Sequence, residues 1–126
     1  MTIEEKAQAV LVAATSVTSL VPAKRIRPTG DWQGLAAPYI IHYPVSESPT
    51  RCHGGLQGLE IYDFYQVSVY ARTLSAARAI QYAVRVALDG NHGGFNFQAI
   101  PGLVYVGRDD VLNLEHVAVN FRASTA

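Results

Sequence analysis

The side chains best suited to chemistry are four histidines, one cysteine and a few acids, and their spacing decides what they can do. His42, His53, His92 and His116 fall on separate stretches. A zinc site built on one helix needs two His on one face, and no H-x-x-x-H or H-E-x-x-H pair occurs. The lone Cys52 excludes an intrachain disulfide framework and any site built on several cysteines. Cys52 precedes His53, but neighbours on an extended backbone point to opposite sides, so they do not form a nucleophile–base pair. There is no G-x-S-x-G elbow. The echoes His53-Gly54-Gly55 and His92-Gly93-Gly94 open no helix after a strand and are not followed by Lys-Ser/Thr, so they are not phosphate loops. Asp109-Asp110 reads as a turn. Asp63 interrupts an otherwise apolar strand face; either it pairs with Arg78 or Arg85, or it sits where the strand overhangs the core. A second carboxylate for acid–base work is not evident. The expectation is no catalytic residue, no cofactor-binding residue, no metal ligand, no cofactor and no enzymatic turnover.

The elements that position these residues are organised around Gly58 to Gly90. From Glu60 to Ala71 the chain alternates: Ile61, Tyr65, Val67, Val69 and Ala71 on odd positions, Tyr62, Phe64, Gln66, Ser68 and Tyr70 on even ones. Period two with aromatic and β-branched enrichment is a strand signal. The period then changes, and Ala77, Ile80, Val84, Ala87 and Leu88 recur at helical spacing. Thr73 or Ser75 caps this helix, and Gly90 stands where a positive-φ residue is wanted.

Upstream, Thr2-Ile3-Glu4-Glu5 matches a capping box, and Ala7, Val10, Leu11, Ala14, Val17 and Val21 make an apolar stripe that Pro22 ends. Ala23 to Pro38 is a connector. Its basic start, Lys24-Arg25-Ile26-Arg27, is too short and lacks the interleaved aromatics of a nucleic-acid face. Tyr39 to Val45 is a strand; Ser46 to Gly58 is a polar loop longer than a tight hairpin needs. Asn91 to Phe95 is a turn. Phe97 to Val106 is a strand interrupted at Pro101-Gly102, Arg108-Asp109-Asp110 a turn, and Asn113 to Ala123 a further strand. The order is α-β-β-α-β-β. The expected architecture is α+β: a four-stranded, mainly antiparallel sheet with two helices packed on one face.

The 126 residues fit one domain, spanning 1–126. Apolar residues are 49% and charged residues 16%, a low charge that implies apolar surface buried against other chains. Formal net charge is zero, so no strong field draws nucleic acid or an acidic membrane. Eight of the ten basic residues are Arg, whose planar fork suits interface ion pairs. No secretory signal and no membrane span are read, and no membrane partner is expected.

With the helices on the odd face, the even face would show Tyr62, Phe64 and Tyr70, an interface composition. With one helix on each face, those rings would be buried. Trp32, the only Trp, anchors its loop either on the core or on a neighbouring subunit.

The run Pro38-Tyr39-Ile40-Ile41, then Gly58-Leu59, then Val67-Ser68-Val69-Tyr70-Ala71-Arg72-Thr73, and an Ala-rich helix ending Ala87-Leu88-Asp89-Gly90, resembles the tail-completion family of tailed bacteriophages, also called tail terminators or head–tail joining proteins. The likeness covers roughly Ala7 to Gly90. It implies a structural virion protein, assembled in the host cytoplasm and located in the tail or neck. Such a protein forms a homo-oligomeric ring, commonly a hexamer, that caps the tail tube protein and docks on head–tail connector proteins, with DNA passing through the lumen. It also implies that the loop before Gly58 projects toward partners, making Arg51 and His53 contact candidates. The candidate interface is thus Trp32, Arg51, His53, Tyr62, Phe64 and Tyr70. Two alternatives remain open: a neighbouring connector component such as a stopper or adaptor, and a small ligand-binding or enzymatic domain with a pocket lined by His42, His116 or Asp63.

Overall fold

A computed structural model of the chain describes residues 2–28, 36–45, 50–51 and 60–125. Helix α1 (Ile3–Ala13) opens with the expected capping box: the Glu5 N–H donates to Thr2 Oγ1 and the Thr2 N–H donates to Glu5 Oε1, both at 3.1 Å. Ala14 then adopts an extended conformation, and a one-turn helix α2 (Thr15–Thr18) follows. The single long helix expected here is therefore two. Thr, Ser and Val are weak helix formers, so a break costs little where turning the chain drops Val17 and Val21 into the core. A 3-10 turn (Ala23–Arg25) leads into strand β1 (Ile26–Pro28).

Next come β2 (Tyr39–Pro44), β3 (Thr50–Arg51), β4 (Glu60–Ala71), α3 (Leu74–Leu88), β5 (Gly90–His92), β6 (Phe95–Asp109) and β7 (Leu114–Thr125). Thr73 Oγ1 accepts from the Ala76 N–H to cap α3. Gly90, just past the helix, holds φ 121°, which an L side chain resists.

The chain is α+β, but the four-stranded sheet with two helices is not what forms. Among the described residues there are seven strands and three α-helices. The sheet is mixed and curled, in the order β1-β2-β4-β7-β6-β5, with β3 also on β4. Among the described strand pairs only β1 against β2 is parallel. The three unanticipated strands are two or three residues long, too short to show a period. β5 forms because Gly93 and Gly94 both take positive φ, the two-residue turn whose twist matches a hairpin. Asn91 Oδ1 accepts the Gly94 N–H and closes it. β1 takes Ile26 and Arg27 from the basic stretch expected to be a connector, whose Lys24 and Arg25 lie in the 3-10 turn, and Ile26 is buried.

One core joins Ile3, Ala7 and Leu11 of α1, Ile80, Val84 and Leu88 of α3, and one sheet face carrying Ile40, Val67, Val69, Val117, Val119 and Phe121. Each such side chain contributes about 1.5–3 kcal/mol by leaving water. The β4 alternation breaks once: β4 uses three residues from Tyr62 to Tyr65 where β7 uses two from Ala123 to Phe121. This bulge contains Asp63, so the apolar odd face does not run through it unbroken.

Leu11 is fully buried, whereas Val12 is 37% exposed. Leu11→Ala is expected to cost about 2–5 kcal/mol and Val12→Ala less than about 0.5 kcal/mol, read from denaturant midpoints. Equal losses at both positions would contradict this packing.

Candidate interaction surface

Two side-chain systems stand on opposite faces of the sheet. On the core face, His42 sits opposite Val67 in the register and is fully buried. Its Nδ1 lies 2.6 Å from Tyr65 Oη and its Nε2 lies 2.8 Å from Gln8 Oε1. Gln8 Nε2 donates to the Ile26 carbonyl at 2.7 Å. The Gln8 oxygen can only accept, so His42 Nε2 carries the proton and Nδ1 accepts from the tyrosine. The chain of bonds ties β4, β2, α1 and β1 together with a neutral imidazole at its centre. Burial pushes His42 down to about 4 and pushes the Tyr65 phenol up. The His42 donor and acceptor are both satisfied inside the fold, and Gln8 at the outer end of this chain of bonds lines the groove between α1 and β1.

On the face opposite the described helices, Tyr39, Tyr70 and His116 form one rung across β2, β4 and β7. Tyr39 and Tyr70 stack at 4.8 Å, and Tyr70 and His116 at 4.3 Å. The next position on that rung is Gly107 of β6. A Cβ there would meet the Tyr105 ring, with Cζ at only 2.6 Å. The glycine thus leaves room for Tyr105 to lean across to His116 at 5.1 Å. Beside the rung, Gln66 donates to Tyr43 Oη and Ser68 Oγ, both at 2.9 Å. Burial pushes Tyr70 up to about 12 and lowers His116, whose Nε2 is buried without a hydrogen-bond partner.

The expected interface residues therefore divide. Phe64 is 41% exposed on β4. Tyr70 is half-buried within the aromatic rung. Tyr62 packs against the helix-side core, because the bulge shifts it out of step with Phe64 and Tyr70. Arg51 lies in β3, opposite Glu60. Trp32 and His53 lie outside the described residues. His42 and His116 do not face each other; the sheet separates them.

The sequence reading missed a second surface. β5 covers only Phe95–Phe97 of β6, so among the described residues no strand lies outside Val104–Asp109. Val104 and Val106 on one side and Tyr105, 54% exposed, on the other flank this free edge. Beyond it the β6–β7 turn is pinned by Arg108, which bonds Glu115 Oε1 at 2.7 Å and also Asn113 Oδ1. Asp109 Oδ1 accepts the Val111 and Leu112 N–H groups. The turn presents Leu112 and Val111, the latter 94% exposed. An apolar pair set between Asp110 and Asn113 was the signal available in the sequence.

No protein-family model matches the chain, and no curated protein matches it. Among solved structures, a chain from the virion of a native gene transfer agent particle matches with a TM-score of 0.76 over 97% of this chain and 92% of that chain. At 18% identity, the two share a fold. No helix among the described residues is long and apolar enough to cross a membrane.

The buried His42 makes stability depend on pH. The unfolded chain takes up this proton near 6.5 and the folded one only near 4. Its contribution is whole above 6.5 and is lost as pH falls from there to about 4, amounting to about 3 kcal/mol. His42→Gln, which cannot titrate, should show a smaller fall in denaturant midpoint between neutral pH and the acid end of that window. An unchanged slope would contradict the buried neutral imidazole.

Proposed function

We propose that this chain is a structural protein of a phage-like virion: a tail-completion or terminator subunit that closes the tail tube as a ring and joins it to the head connector, with DNA passing through the lumen. The observation that carries the reading is the fold match, nearly end to end on both sides, to a chain of a gene transfer agent virion. The motif resemblance between Ala7 and Gly90 supports the tail-completion role independently. On this reading the chain belongs to the tail or neck, is assembled in the host cytoplasm, and works by shape rather than turnover.

The physics of such a role is assembly geometry. A free strand edge offers backbone N–H and C=O groups to an added strand, and β6 supplies one with apolar side chains on both sides. Head-to-tail contacts whose rotation closes give a ring, here a hexamer by the resemblance. The pinned turn sets Val111 and Leu112 as an anchor whose shape is formed before docking, which lowers the ordering cost of binding. A neighbouring stopper or adaptor would use the same surfaces and differ only in its partner.

The test is sedimentation and electron microscopy of the purified protein with uncapped tail tubes and, separately, with the connector. Capping of tube ends is expected, and Val111→Asp/Leu112→Asp should weaken it at least about tenfold while leaving the thermal midpoint unchanged. Binding to the connector but not to tubes would favour the stopper reading. A persistent monomer that binds neither would sink both.

A further inference from the structure

The helix side of the molecule carries two surfaces of opposite charge. The first lies along α1 where it meets β1, a groove of about 470 Å³ with an apolar floor of Ala9, Val12 and Pro28 and with Glu4 and Glu5 at its acidic end. The capping bond holds the Glu5 carboxyl below the usual range, so that charge persists into mild acid. The second is the outer face of α3. Tyr82 and Val86 are exposed there, and Ala79 lies beside them at helical spacing. Arg78 and Arg85, seven residues apart, run along one border of this stripe. α3 itself contains no acidic residue.

The geometry points to a head-to-tail contact between copies of this chain, in which the outer face of α3 of one copy seats in the α1–β1 groove of the next. Tyr82 and Val86 meet Ala9, Val12 and Pro28, while Arg78 and Arg85 reach Glu4 and Glu5. Each half is wrong for the obvious competitor. Two arginines beside an apolar tyrosine–valine centre make a poor nucleic-acid face, which wants a wider basic stripe, and the acidic groove repels phosphate. A second copy meets both requirements at once, because the same chain carries the complementary charge. The two surfaces differ, so the contact is heterologous and propagates until it closes. The inference deepens the ring reading and rests on it for the identity of the assembly.

Site-directed cross-linking tests the contact in a Cys52→Ser background. Ala9→Cys and Val86→Cys chains are mixed and treated with a short bis-maleimide, in free solution and on tail-tube ends; circular dichroism melts verify that each variant folds. The mixed pair should cross-link at least tenfold faster than either variant alone. Glu4→Arg on the first chain, or Arg78→Glu/Arg85→Glu on the second, should abolish that advantage, and combining the two reversals should restore it. Three results overturn the contact: equal rates for all pairings, indifference to charge reversal, or an Ala9→Cys thiol that a monofunctional maleimide cannot reach in the monomer, which would mean that the same chain fills the groove. Tube capping without the cross-link removes this contact and leaves the ring reading standing. Cross-linking in free solution without capping keeps the contact and removes the tube-capping reading.

Discussion

Everything else in this structure depends on one face of β4 and β7 being buried beneath α1 and α3. Val67, Val69, Val117, Val119 and Phe121 have no access to water, and the helices that cover them close a single core with Ile3, Leu11, Ile80 and Leu88. A sheet has two faces, and the helices share one cluster on one of them. Among the described residues no helix covers the opposite face, which satisfies its side chains in another way. It does so with rings and short hydrogen bonds: the Tyr39–Tyr70–His116 rung and the Gln66 contacts to Tyr43 and Ser68.

Polar groups are handled differently on the two sides. His42 is the costly one, since an imidazole in an apolar core must lose its charge or find partners. It does both, between Tyr65 and Gln8, and the same bonds fasten β1 to the rest through the Ile26 carbonyl. The histidine that looked like a potential ligand is a structural tie. His116, across the sheet, is held by stacking on Tyr70 instead, with its Nε2 unpartnered.

Much of the chain could be read in one dimension. The strand Glu60–Ala71 and the helix after it lie where period and capping placed them, as does the capping box at Thr2. These signals are local: a face buried along ten or more residues writes its period into the sequence. β1, β3 and β5 carry no such signal, because two or three residues cannot show a period and their partners decide whether they pair. The break at Ala14 was also hidden, since neither Gly nor Pro marks it. Tyr62 was misplaced for a related reason. Alternation assigns it to the side of Phe64 and Tyr70, and one extra residue in β4 reverses that assignment.

The sequence by itself determined the long elements, their caps and the mixed α and β character, because each of these follows from neighbours along the chain. Tertiary structure alone decided which strands pair, which histidine is buried and what the β6–β7 turn displays. Among the described residues no strand covers the outer edge of β6 past Phe97, because β5 ends after three residues. Tyr105 can lean on His116 because Gly107 of the same strand lacks a Cβ. Such facts depend on which strands lie side by side, and no local pattern of residue types encodes that.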